Sequence, residues 1–134
     1  MFEYHGWINI QESTSEVDEG NLANIIDDIR SNITKCFRGN GFIDLRPING
    51  SYHLCLSGFT NHKAQEEKDI INLFYYIGER AHGSYGLLYM RDDEDINGLE
   101  NEFIVYTLYR GNISFRKDIY LSPIIPTIED PELY

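Results

Sequence analysis

The sequence predicts an α+β domain: two helices packed on a mainly antiparallel sheet of about six strands, with an extended C-terminal segment. Three observations carry that reading. Two long stretches repeat apolar residues at helical period, several shorter ones have strand length and composition, and Asn49-Gly50 joins two of the short ones as a hairpin turn. The chain of 134 residues is of a size to form one domain, 1–134, around a single core.

Residues 3–11 read as the first strand. Tyr4, Ile8 and Ile10 share one face with Gly6 between them, and His5, Trp7 and Asn9 share the other, because side chains alternate along a strand. Residues 12–20 are polar and form a loop. Residues 21–37 form the clearest helix: Leu22, Ile25, Ile26, Ile29, Ile33, Cys36 and Phe37 make one stripe, with Asp18, Glu19 or Asn21 available as caps. Gly39-Asn40-Gly41 ends it. Strands follow at 42–47 and 51–59 around Asn49-Gly50, whose residues tolerate positive φ.

A second helix spans residues 62–82, capped by Asn61, with Ala64, Ile70, Ile71, Phe74, Ile77 and Ala81 inward. Strands at 84–91, 102–110 and 113–117 complete the pattern, the last two joined at Gly111-Asn112. Leu87-Leu88-Tyr89-Met90 and the run from Phe103 to Tyr109 are apolar on both alternations, so the sheet is expected to be covered in part on its second face too. From Leu121 onward Pro123, Pro126 and Pro131 forbid a regular helix or central strand. Ile124, Ile125 and Ile128 are nonetheless too apolar for a free tail, so this segment should pack extended on the domain. The order β-α-β-β-α-β-β-β points to a ferredoxin-like core with an added hairpin.

Composition narrows function. Apolar content of 42% is that of a globular protein, while the net charge of -11 divides into -5 and -6 between the two halves. Such charge repels nucleic acid and anionic membrane and attracts basic proteins. There is no basic, apolar leader and no apolar run of membrane-spanning length, so the chain reads as cytoplasmic. Cys36 and Cys55 form no CxxC pair and read as reduced thiols in or near the core.

The chemistry-bearing stretch is the acidic loop. Arg91 is followed by Asp92, Asp93, Glu94 and Asp95, with Glu100 and Glu102 close behind. Asp93-x-Asp95-x-Asn97-Gly98 matches the first half of a calcium loop, but position twelve is Ile104 where a bidentate Glu is needed, and a strand precedes it. A calcium- or small-ligand-binding module is therefore the alternative reading. His5, His53, His62 and His82 show no metal-ligand spacing, and no nucleophile–base or phosphate-binding motif occurs, so no catalytic residue, metal or cofactor is expected. A surface for a basic protein fits best, steered by the acids and anchored by aromatics, among them Tyr89, Tyr106, Tyr109 and Trp7. Arg91 could instead be a structural pin, holding Trp7 or the tail acids Glu129 and Asp130.

Three phrases also occur together in order: Tyr4-His5-Gly6-Trp7, Gly86 to Asp95, and Leu121-Ser122-Pro123-x-x-Pro126-Thr127-Ile128-Glu129-Asp130. In these the chain resembles immunity protein 7, a family of bacterial polymorphic-toxin immunity proteins. The resemblance implies a small α+β protein made beside a secreted toxin, which it neutralises by binding. Toxins of such systems are often nucleases with a basic active face. It marks Trp7, Arg91, Pro126, Glu129 and Asp130 as motif residues. The loop acids and Tyr89 are the expected toxin-binding residues, and neither nucleic acid nor membrane is an expected direct partner.

Overall fold

The computed structural model describes residues 1–14, 20–37, 41–61 and 65–129. Its elements run β1 (Phe2–Ile10), α1 (Leu22–Cys36), β2 (Phe42–Ile48), β3 (Ser51–Thr60), α2 (Gln65–Arg80), β4 (Tyr85–Asp92), β5 (Ile104–Tyr109), β6 (Asn112–Lys117) and α3 (Ile124–Thr127). The six strands form one sheet in the order β2-β3-β1-β4-β5-β6, every neighbouring pair antiparallel. The four-strand part, β2-β3-β1-β4, is the ferredoxin-like arrangement, and the hairpin β5–β6 extends it beyond β4.

Alternation in the strands decides which side the helices cover. Phe2, Tyr4, Ile8 and Ile10 of β1, Leu54 and Leu56 of β3, and Leu88 and Met90 of β4 are buried in one core. Ile25, Ile26 and Ile29 of α1 and Ile70, Leu73, Phe74 and Ile77 of α2 meet them from the same side. Each such side chain contributes about 2 kcal/mol by leaving water, which is why the stripes rather than intrinsic propensity hold the helices. Tyr4 lies opposite Gly58, and a Cβ there would collide with the Tyr4 ring. The turn at Asn49-Gly50 has both residues at positive φ, 50° and 86°.

Several expectations are corrected. The last tight turn is Arg110-Gly111 (φ 51° and 79°), and Asn112 already belongs to β6. Asn21 makes no side-chain cap; its backbone N–H donates instead to Glu12 Oε1 at 3.2 Å. Asp18, Glu19, Gly39 and Asn40, the cap and stop residues, lie outside the described residues, as do His62 and Ala64 of the second helical stretch. Both cysteines are free as expected but exposed, not core. The C-terminal segment is not wholly extended: it contains α3, a single irregular turn interrupted at Ile125, because proline at 126 holds the preceding residue out of helical geometry.

Candidate functional site

The acidic loop is built largely from its own carboxylates. Asp92 Oδ1 accepts the Glu94 N–H at 3.0 Å, and Asp95 Oδ1 accepts those of Asn97 at 2.6 Å and Leu99 at 3.5 Å. Aspartate folds a chain this way because its short side chain reaches backbone two residues on. Asp93 is paired with the Met1 ammonium, holding that amine above its ordinary pKa, and Glu94 Oε1 lies 3.7 Å from the same nitrogen. Glu102 faces Lys117 at 3.6 Å, and the Glu100 side chain is exposed. The six acids thus border one end of the sheet, Asp93 and Glu94 engaged with the N-terminus and Asp92 and Asp95 with the loop backbone. Among the described residues, no three His, Cys, Asp or Glu side chains come together in a group able to hold a metal ion.

Arg91 lies inside this frame. Its Nη1 donates to Glu3 Oε1 at 3.4 Å across β1–β4, and its Nε donates to the Glu100 carbonyl at 3.2 Å. Both side chains are mostly covered, at 14% and 13% exposure. Glu3 Oε2 also accepts from His5 Nε2 at 2.9 Å. Arg91 therefore joins the first strand to the acidic loop through Glu3, and neither Trp7 nor Glu129 is its partner. Asp130 lies outside the described residues, and Pro126 and Glu129 are exposed.

A second anchor is absent from the sequence expectations. Asp118, 5% exposed, accepts the backbone N–H groups of Tyr120 (3.0 Å) and Leu121 (2.7 Å), the Ser122 hydroxyl (3.1 Å) and the Tyr89 hydroxyl. Burial alone would raise its pKa; these four hydrogen bonds favour the ionised form and bring it below the ordinary carboxylate value. Burial, aided by the Asp118 charge, raises the Tyr89 pKa. Ser122 Oγ accepts the Phe103 N–H at 2.9 Å, and Asn101 exchanges two hydrogen bonds with Ile125 through its amide. The segment after β6 is thereby fastened over Phe103, Val105 and Ile124, which are buried outside the main core. Tyr89, edge-on to Phe103, belongs to this fastening.

Among the described residues, nothing packs over the rest of the sheet's second face. Trp7, at 42% exposure, sits in central strand β1 between Cys55 of β3 and Leu87 of β4. Tyr85 meets Trp7 edge-on at 6.0 Å and receives a hydrogen bond from Asn9 at 3.0 Å. Tyr109, Phe59 and Phe42 are exposed on the same alternation. Of the aromatics expected as anchors, Trp7 and Tyr109 are thus exposed here, whereas Tyr106 turns to the helix side and stacks on Phe115. Phe42, Phe59 and Tyr85 were missed as surface residues. Their alternation with buried neighbours was visible, but which alternation faces the helices depends on strand register.

A protein-family model described as immunity protein 7 matches residues 1–130. Searches of curated proteins and of solved structures return no match.

Proposed function

The chain belongs to the immunity protein 7 family, and from that premise we propose that it neutralises a cognate bacterial toxin by direct, stoichiometric binding, without catalysis or a cofactor. The observation that supports the mode of binding is the acidic loop. Its carboxylates cluster at one end of the sheet in a chain of net charge -11. A fixed concentration of negative charge steers a basic partner and sets its orientation. A nuclease-type toxin, whose active face must attract phosphate, has the complementary charge. The immunity protein occludes that face or the surface beside it.

The test is to purify the toxin domain encoded by the neighbouring gene together with this chain. A one-to-one complex with loss of toxin activity is expected, and absence of a complex defeats the reading. Asp92 and Asp95 help fold the loop, so the charge test belongs on the other acids. Glu94→Lys with Glu100→Lys should slow association about tenfold at low salt, leaving dissociation nearly unchanged. An unaltered on-rate would remove the loop from the docking face.

A further inference from the structure

We propose that the toxin docks on the open face of the sheet, with Trp7 at the centre of the contact, and that the acidic loop forms one rim of that contact. The inference rests on the toxin-binding reading above. Among the described residues, the helices α1 and α2 cover the other face, and the segment fastened by Asp118 closes the corner over Phe103, Val105 and Ile124. What remains carries Trp7, Tyr85, Tyr109, Phe59 and Phe42 at the surface. Six strands about 4.8 Å apart and roughly 20–30 Å long give a face of several hundred Å². That is close to the roughly 800 Å² that each partner gives to a stable protein–protein contact.

The charges on this face suit a protein partner. Glu3 is paired with Arg91, and Asp44 is paired with Arg46 at 2.6 Å. Charges matched in this way can be dried by a partner, and exposed aromatics ringed by polar groups are the anatomy of an interface centre. The same pairing leaves Arg46 and Arg91 poorly placed to hold phosphates, and the net charge of -11 repels nucleic acid. A second copy of the chain would bring two acidic loops together, each on a molecule of charge -11. A basic toxin meets the opposite situation: the loop that adjoins Arg91 at the end of β4 extends the open face with complementary charge.

The two thiols give a direct test. Cys55 is exposed on the open face opposite Trp7, and Cys36 is exposed on α1, across the sheet. The rate of N-ethylmaleimide modification of each thiol is measured for the chain alone and for the chain first saturated with the toxin domain encoded beside it. The expected result is at least tenfold slower modification of Cys55 in the complex, with Cys36 unchanged. A Cys55 that stays reactive, or protection of Cys36 instead, overturns the proposal while leaving toxin binding intact. Failure of the unaltered chain to bind overturns both. Trp7→Ala should raise the dissociation rate ten- to a hundredfold with an on-rate within about threefold. Concentration-dependent dimerisation of the chain alone, abolished by Trp7→Ala, would assign the face to a second copy and also defeat the inference.

Discussion

Asp118 shows how one side chain can fix a segment of poor intrinsic structure. Its carboxylate gathers two backbone N–H groups and two hydroxyls, so residues 118–122 wrap around it. Asp118→Asn keeps one carbonyl oxygen but turns an amide N–H₂ toward groups that also donate. With charge-assisted hydrogen bonds worth about 1.5–3 kcal/mol each, a net loss of about 2 kcal/mol is expected in the unfolding free energy from denaturant titration. The pH dependence has a definite sign. A carboxylate with a lowered folded pKa stabilises above its unfolded value, about 3.9, and loses that contribution as pH falls through the folded value. Between pH 5 and 3, unfolding free energies should therefore decline less steeply in Asp118→Asn than in the unaltered chain. Arg91 makes a different kind of contact, a covered ion pair. Removing one partner of such a pair strands the other, so Arg91→Ala should cost about 3 kcal/mol in chemical denaturation. Toxin on-rates of the folded variant should stay within threefold, because the six acids of residues 92–102 that steer the partner are all retained.

At the scale of elements, β1 is the strand on which the others depend. It pairs with β3 over Phe2–Ile10 and with β4 over Phe2–Asn9, so it is hydrogen-bonded along both edges. Its two alternations do different work: Phe2, Tyr4, Ile8 and Ile10 enter the core, and Glu3, His5, Trp7 and Asn9 belong to the second face. The fit on the core side depends on a large residue against a missing one, Tyr4 against Gly58. Gly58→Ala would press a methyl group into the Tyr4 ring, which is buried and cannot swing away. Overpacking of this kind costs about 1–3 kcal/mol. A lowered denaturant midpoint at unchanged slope would show the strain to be local; unchanged stability would mean that β1 and β3 can move apart freely.

For the whole molecule, charge and apolar contact lie on adjoining surfaces. The β5–β6 hairpin, residues 103–117, carries Arg110, Arg116 and Lys117 and no acid, so the negative charge is concentrated elsewhere, with six acids within residues 92–102. A toxin that docks as proposed would feel that polarity at long range and the aromatic face only on contact. The effect of the Glu94→Lys, Glu100→Lys pair should accordingly fade as the Debye length shrinks from about 30 Å at 0.01 M salt to about 3 Å at 1 M. The Trp7→Ala effect on dissociation should persist across the same range, since apolar burial is not screened. Measured together, the two salt profiles separate steering from anchoring.

The periodic stripes Leu22–Cys36 and Ile70–Ile77, the Asn49-Gly50 turn and the strand lengths made the α+β class and the ferredoxin-like order legible from the chain alone, because each depends on residues near one another in sequence. The family phrases were legible for the same reason, and so was the acidic loop as a concentration of charge. Side-chain partners across long separations were not. Arg91 finds Glu3, 88 residues away, and Tyr89 finds Asp118 on a segment whose prolines announce only what it cannot be. Cys55 and Trp7 become neighbours, and exposed ones, only when β3 and β1 register and both helices fall on the opposite side. Composition and period are local and survive in the unfolded chain. Register, and with it the face each alternation presents to water, is a property of the assembled sheet, so the tertiary structure alone decided which aromatics became core and which became surface.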